Sequence, residues 1–204
     1  MKRTTSPGAF WDERFRNEDM VYGHGPNAFF EAQLDKLSPG RILLPGDGEG
    51  RNATHAAELG WSVRSFDASA VGVEKSLALA RRKKVHIEAE CGDATDWEPN
   101  EEFDVVALCY LHLPKDLRPL FHTRVAQWLK PGGTLILEGF GPGQLAFQSG
   151  GPKDMSMLFT TDMLTSDFAG LNPSILITEE VVLDEGPYHQ GKAEVTRVVA
   201  ARPH

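Results

Sequence analysis

Between residues 41 and 137, short apolar runs alternate with segments whose apolar side chains recur every three or four positions. Arg41, Ile42, Leu43 and Leu44 predict a first strand. Ala53, Ala56, Ala57 and Leu59 then follow with helical spacing up to Gly60, a residue suited to the left-handed position just past a helix end. Residues 61–66 predict a second strand with Asp67 at its tip. Ser69 can cap a third periodic segment, whose Val73, Leu77 and Ala80 lie on one side and which closes on the basic residues 81–84. Residues 85–90 read as strand three. Residues 103–109 are almost continuously apolar, the pattern of a central parallel strand covered on both faces. Pro114 opens the next helical stretch, and Pro119 marks the start of its regular part. Leu117, Leu120, Phe121, Val125, Trp128 and Leu129 fit its period, residues 130–133 form a turn, and residues 134–137 make strand five.

The flanks differ from this core. Thr5, Ser6 and Pro7 look like a helix start, with Ser6 as cap and Pro7 at the first helical position, followed by Phe10, Trp11, Arg14 and Phe15. Residues 26–37 read as a second helix with Phe29, Phe30 and Leu34 inward. Between the two helices lies the aromatic and glycine segment 21–25. After strand five, about twenty residues (139–158) carry Gly139, Gly141, Gly143, Gly150 and Gly151, a loop long enough to suggest function. A short helix over 161–168 is stopped by Gly170. Residues 174–183 and 192–201, rich in Val, Ile and Thr, predict an antiparallel pair around the turn at 184–187. The expected organisation is one domain over 1–204, with residues 1–38 as a helical cover and 39–204 as the core.

Composition narrows the function. With 21 basic and 29 acidic residues the net charge is −8, which argues against a general affinity for nucleic acid or anionic membrane. The two cysteines, Cys91 and Cys109, have no paired spacing, and neither CxxC nor HExxH occurs, so no disulfide framework and no metal site is signalled. The first residues carry no apolar stretch behind their charges, and no run approaches a membrane span. The expectation is a cytoplasmic protein, monomeric or homodimeric, acting on a small molecule.

Candidate chemistry gathers at strand tips. Gly46, Gly48 and Gly50 follow strand one with Asp47, Glu49 and Arg51 between and after them, and Asn52 begins the helix. Such a turn lets a ligand lie against backbone. Asp67 ends strand two about twenty residues on, where a carboxylate can accept hydrogen bonds from a ribose, and Gly92, Asp93 and Ala94 follow strand three. A nicotinamide fingerprint fails, because the third glycine comes one position early and Arg51 stands where a small residue belongs.

With residues 43–50, 66–69, 91–94, 103–106 and 129–135 taken together, the chain resembles the class I S-adenosylmethionine-dependent methyltransferases. Residues 48–53, with residues 11–15 and Tyr22-Gly23 upstream, are most similar to the small tellurite-resistance and thiopurine methyltransferase-like branch. The resemblance implies a Rossmann-like three-layer α/β/α sandwich. Its seven-stranded, mostly parallel sheet would have the last hairpin reversed and an antiparallel C-terminal strand. It implies S-adenosylmethionine as cofactor, with Gly46, Asp47, Gly48, Gly50 and Asn52 around its methionine part. Asp67, with Ala68 and Ser69, would hold the ribose, Asp93 and Ala94 would meet the adenine, and Cys109 and Tyr110 would lie near the reacting end. The chain departs from the family pattern at Leu44, where an acidic residue usually stands two positions before the first glycine, and at Asp47 inside the loop.

The reaction so implied is methyl transfer to a small acceptor by in-line displacement, in which positioning supplies roughly 7–11 kcal/mol. A thiol, metalloid oxyanion or other soft nucleophile needs little proton chemistry. Tyr22 and His112 are the candidate catalytic residues, His24 is a second candidate base, and Trp11, Tyr22, His24 and Phe147 are candidate acceptor contacts. The alternative is a binding or regulatory protein of the same fold.

Overall fold

The computed structural model describes residues 6–16 and 19–204. Thr5 of the expected helix start therefore lies outside the described residues. Ser6 does cap the first helix, α1 (Pro7–Phe15), accepting from the Ala9 amide at 3.3 Å. The second helix is shorter than the pattern suggests: α2 (Ala28–Leu34) starts after Pro26 because Asn27 is its cap, accepting from the Phe30 amide at 2.8 Å.

The core alternates as expected through β1 (Arg41–Pro45), α3 (Arg51–Glu58), β2 (Ser62–Asp67), α4 (Ala70–Lys83), β3 (Glu88–Cys91), β4 (Phe103–Cys109), α5 (Arg118–Trp128) and β5 (Leu129–Phe140). Gly60 takes the left-handed conformation just past α3, and Ser69 caps α4. β3 begins three residues late, because Lys84 closes α4 in a left-handed turn and the Val85 amide still bonds back to Ala80. β5 begins early and absorbs the expected turn at 130–133 as an irregularity in its pairing with β4. Beyond it come α6 (Thr161–Asp167), β6 (Asn172–Asp184) and β7 (Gln190–Ala201).

The seven strands lie in the order β3-β2-β1-β4-β5-β7-β6. β7 is antiparallel to both neighbours, so it alone is reversed and β6 runs with the core strands. The mostly parallel seven-stranded sheet with an antiparallel C-terminal strand is as expected, and within the last hairpin it is β7 that carries the reversal. The pleat of the central strands builds two cores. Leu43, Val106, Leu108, Leu135 and Leu137 pack beneath α5 and α6 with Phe121, Val125, Trp128 and Leu164. Ile42, Leu44, Val105 and Ala107 point the other way, onto Phe29, Phe30, Leu34, Ala53 and Ala56 of α2 and α3. Both faces of β1 and β4 are buried, which is why their sequences do not alternate. Leu117 and Leu120, expected inside, are 39% and 63% exposed. Leu117 precedes the first turn of α5, and Leu120 sits one position off the stripe formed by Phe121, Val125 and Trp128.

Candidate functional site

A cavity of about 590 Å³ opens at the carboxyl ends of β1, β2 and β4. The strand order reverses between β1 and β4, and such a switch point leaves a crevice in open α/β sheets. The turn after β1 forms its floor. The Gly46 amide donates to the Phe66 carbonyl at 2.7 Å, and Gly46, Gly48 and Gly50 have φ of 66°, 57° and 85°, values that only glycine adopts cheaply. Gly46 and Gly48 line the cavity. Gly50 does not: a Cβ there would stand 2.1 Å from Ser76 Oγ, so this glycine serves the packing of α3 on α4.

Two carboxylates, the buried Asp67 and the half-buried Asp47, brace this turn. Asp67 accepts from the Gly48 amide at 2.9 Å and from the Ser69 amide at 2.8 Å, and burial lifts its pKa to about 6. Asp47 accepts from Asn52 Nδ2 and from the Ala53 amide, both at 3.1 Å, so it caps the otherwise uncapped start of α3. Burial lifts Asp47 to about 7 against those hydrogen bonds. Both residues lie in the cavity wall with Asn52, Ala68, Asp93 and Ala94. Asp93 is held by its own loop, accepting from the amide and hydroxyl of Thr95 at 2.8 Å each. Ser69 lies outside the cavity. It is fully buried, accepts from the Gly72 amide to cap α4, and donates to Asp12 Oδ1 at 2.7 Å. Asp12 also accepts from the Val71 amide at 3.1 Å, which docks α1 on the start of α4. At Leu44 the chain simply buries an aliphatic side chain, 1% exposed, within the α2–α3 core.

The opposite wall is aromatic. Trp11 stacks on Phe15, Tyr22 lies 6.3–6.4 Å from both, and Tyr110 stands 4.7 Å from Phe140, by ring centroids. Cys109 ends β4 in the wall and Tyr110 follows it, with φ of 56°, a strained value for a non-glycine residue. Its hydroxyl donates to the buried Glu138 at 2.8 Å. His112 also borders the cavity, yet both ring nitrogens are used: Nδ1 donates to the Met157 carbonyl at 2.7 Å, and Nε2 accepts from the Phe140 amide at 3.0 Å. Burial drives its pKa down to about 4. It is a neutral structural histidine, with no lone pair free for proton transfer. His24 is exposed and Phe147 half-buried, and neither lines the cavity. From the glycine-rich segment it is Gln148, Gly150, Gly151, Pro152, Lys153 and Met157 that reach it.

Two wall residues, Arg51 and His189, and Glu185 behind them were given no role at the site by the sequence. Arg51 donates to Glu185 at 2.6 Å and to the Tyr22 carbonyl at 2.8 Å, and His189 packs its ring 4.6 Å from Tyr22 and 4.3 Å from Tyr110. Arg51 and Glu185 hold each other almost wholly buried, and against that burial His189 first and then Arg51 pull the Glu185 carboxyl down to about 2. The only sequence signal was Arg51 itself, a long cation where a glycine-loop helix usually starts small.

Residues 42–133 match the family described as methyltransferase domain. Over 126 residues the chain is 34% identical to the probable thiol methyltransferase 2 of Arabidopsis thaliana, covering 59% of this chain and 54% of that protein. The chain thus spans about half the length of that relative. A structure solved in work on conversion of a disulfide bond into a thioacetal group during echinomycin biosynthesis superposes with a TM-score of 0.78 at 19% identity. It covers 97% of this chain and 90% of its own. The N-methyltransferase NodS of Bradyrhizobium japonicum WM9, in complex with S-adenosyl-L-homocysteine, gives 0.71 at 13% identity, over 98% and 100%. The fold is the Rossmann-like one of solved methyltransferase structures, and the matched methyltransferase domain covers its central strands. Among the described residues no helix is long and apolar enough to cross a membrane.

Proposed function

We propose that the protein transfers a methyl group from S-adenosylmethionine to a small-molecule acceptor carrying a soft nucleophile, a thiol foremost. One observation carries this reading: a single cavity joins the glycine turn and the carboxylates of Asp67 and Asp93 to the aromatic wall of Trp11, Tyr22 and Tyr110. A volume of about 590 Å³ suits a nucleoside with a small partner. The residues fit that cofactor. Gly46 and Gly48 offer backbone without Cβ, Asp67 can accept from ribose hydroxyls, and Asp93 with Ala94 can meet an adenine edge. Asp47 and Asn52, beside the turn, take the amino-acid end, where a cationic amine favours ionised Asp47. When bound, the cofactor supplies an activated methyl group on a sulfonium. The chain's part is alignment and exclusion of water, with Cys109, Tyr110 and Tyr22 nearest the reacting end. Residues 11–15 and 20–23, with 148–157, form the cover over the acceptor. The similarity to a probable thiol methyltransferase supports the choice of a sulfur acceptor.

The second reading, a binder without turnover, is favoured by Leu44, whose buried aliphatic side chain leaves the amino-acid end without the acidic residue usual there. Following S-adenosylhomocysteine release with a panel of thiols and metalloid oxyanions decides between them. Release with at least one acceptor is expected. Tight cofactor binding with no release for any acceptor overturns the enzyme reading.

A further inference from the structure

The β6–β7 turn brings a histidine and a carboxylate to the aromatic wall, and alignment of reactants alone gives them no task. His189 is 4% exposed, and its ring forms part of the cavity surface between Tyr22 and Tyr110. Its Nδ1 is buried without a hydrogen-bond partner, 3.9 Å from Glu185 Oε2. With that nitrogen turned to Glu185, Nε2 is the atom left to meet a ligand. Gly150 passes close beside the ring: a Cβ there would stand 2.5 Å from the Tyr188 carbonyl oxygen and 3.0 Å from His189 Cδ2, so the absence of a side chain at this position keeps the cavity side of the ring uncovered. This contrasts with His112, whose two nitrogens are both committed.

Resting on the methyltransferase reading, we propose that His189 is the proton acceptor for a neutral S–H substrate, with Glu185 as its positioning residue. The S–H bond breaks and its proton goes to Nε2. The sulfur lone pair forms the new S–CH3 bond as the sulfonium C–S bond breaks, its electrons leaving on S-adenosylhomocysteine. The imidazolium then closes on Glu185 and returns its proton to water when the cavity opens. The surroundings suit that cycle. Burial is the main force holding His189 below 6.5, aided by the Arg51 charge, while Glu185 and Glu138 oppose both. The ring is therefore a neutral base at pH 7 with a carboxylate ready to stabilise its charged form. The remaining titratable groups facing it are the Tyr22 and Tyr110 phenols, which burial keeps protonated, Tyr188 next in the chain, and the neutral His112.

The test is S-adenosylhomocysteine formation by the wild type and His189→Gln between pH 5 and 9. The thiols used are 4-nitrothiophenol, thiophenol and an alkanethiol, in order of falling acidity. Wild-type kcat/KM for the alkanethiol should show an acid limb below pH 6.5. His189→Gln should lose that limb and about a hundredfold in rate with the alkanethiol, yet less than threefold with 4-nitrothiophenol, already a thiolate. Calorimetric S-adenosylmethionine affinity within threefold of wild type establishes that the variant is folded. An equal loss across the three thiols, or an unchanged limb, overturns the inference and leaves the methyltransferase reading standing. A wild type that binds S-adenosylmethionine but methylates only non-thiol acceptors also overturns it; no turnover of anything removes both.

Discussion

The guanidinium of Arg51 and the carboxylate of Glu185 meet 2.6 Å apart, 134 residues distant in sequence and each about nine-tenths buried. Through this pair the glycine turn, the residues before α2 and the β6–β7 turn share one electrostatic centre. Asn27 extends it, donating to Glu185 at 3.0 Å and to Glu138 at 2.6 Å.

Removing one partner of such a pair strands a buried charge. Arg51→Ala is expected to cost about 3–5 kcal/mol in denaturant unfolding. The double variant Arg51→Met, Glu185→Leu should cost clearly less than the sum of its singles. Additive losses would show that the two side chains are not coupled.

Asp67→Ala should weaken S-adenosylmethionine binding at least tenfold, since each hydrogen bond to a charged group contributes about 1.5–3 kcal/mol. The side chain also accepts from two backbone amides, so a modest drop in melting temperature accompanies the loss. Titration calorimetry on the folded variant measures it. Unchanged affinity would remove Asp67 from the site.

Gly48→Val tests the turn from its other side. A Cβ at Gly48 would come within 2.9 Å of the Phe15 ring, at a φ that valine avoids. The substitution is expected to push α1 off the cavity and abolish cofactor binding, with faster tryptic cleavage at Arg14. Normal binding together with normal cleavage would refute both roles.

Asp47 makes a pH prediction with a definite sign. Its folded pKa, about 7, lies above the usual 3.8, so the fold favours the protonated form. That contribution is fully present below pH 3.8 and is lost as pH rises through about 7. Without ligand, the stability of the wild type relative to Asp47→Asn should therefore decline between pH 4 and 8 and then level off. Thermal unfolding of both proteins across that range reads the difference. A flat difference means that Asp47 is ionised throughout.

Much of this was legible in the sequence, for local reasons. Ser6, Ser69 and Gly60 announce helix ends through chemistry confined to a few residues, and the apolar run at 103–109 could hardly be anything but a covered strand. Asp47, Asp67 and Asp93 stood at strand tips and do line one cavity. What was not legible depends on long-range pairing. Ser69 and Gly50 look like cofactor contacts until Asp12 and Ser76 occupy them. His112 looks free until the Met157 carbonyl and Phe140 amide take its nitrogens. Glu185 reads as a turn residue and His189 gives no signal at all, because nothing local says that the segment between these two strands folds back to the cavity.

The position of β7 constrains how the molecule is made. β6 is synthesised first but touches the sheet only through β7, which lies between it and β5. As a chain emerges, residues 172–184 have no strand to join until residues 190–201 follow. Until then the edge of β5 is bare, and Arg51 has neither its carboxylate partner nor the histidine beside it. The parallel core can assemble early, but the cavity wall is completed in one late step, when a strand threads between two others and carries the turn at 185–189 into place.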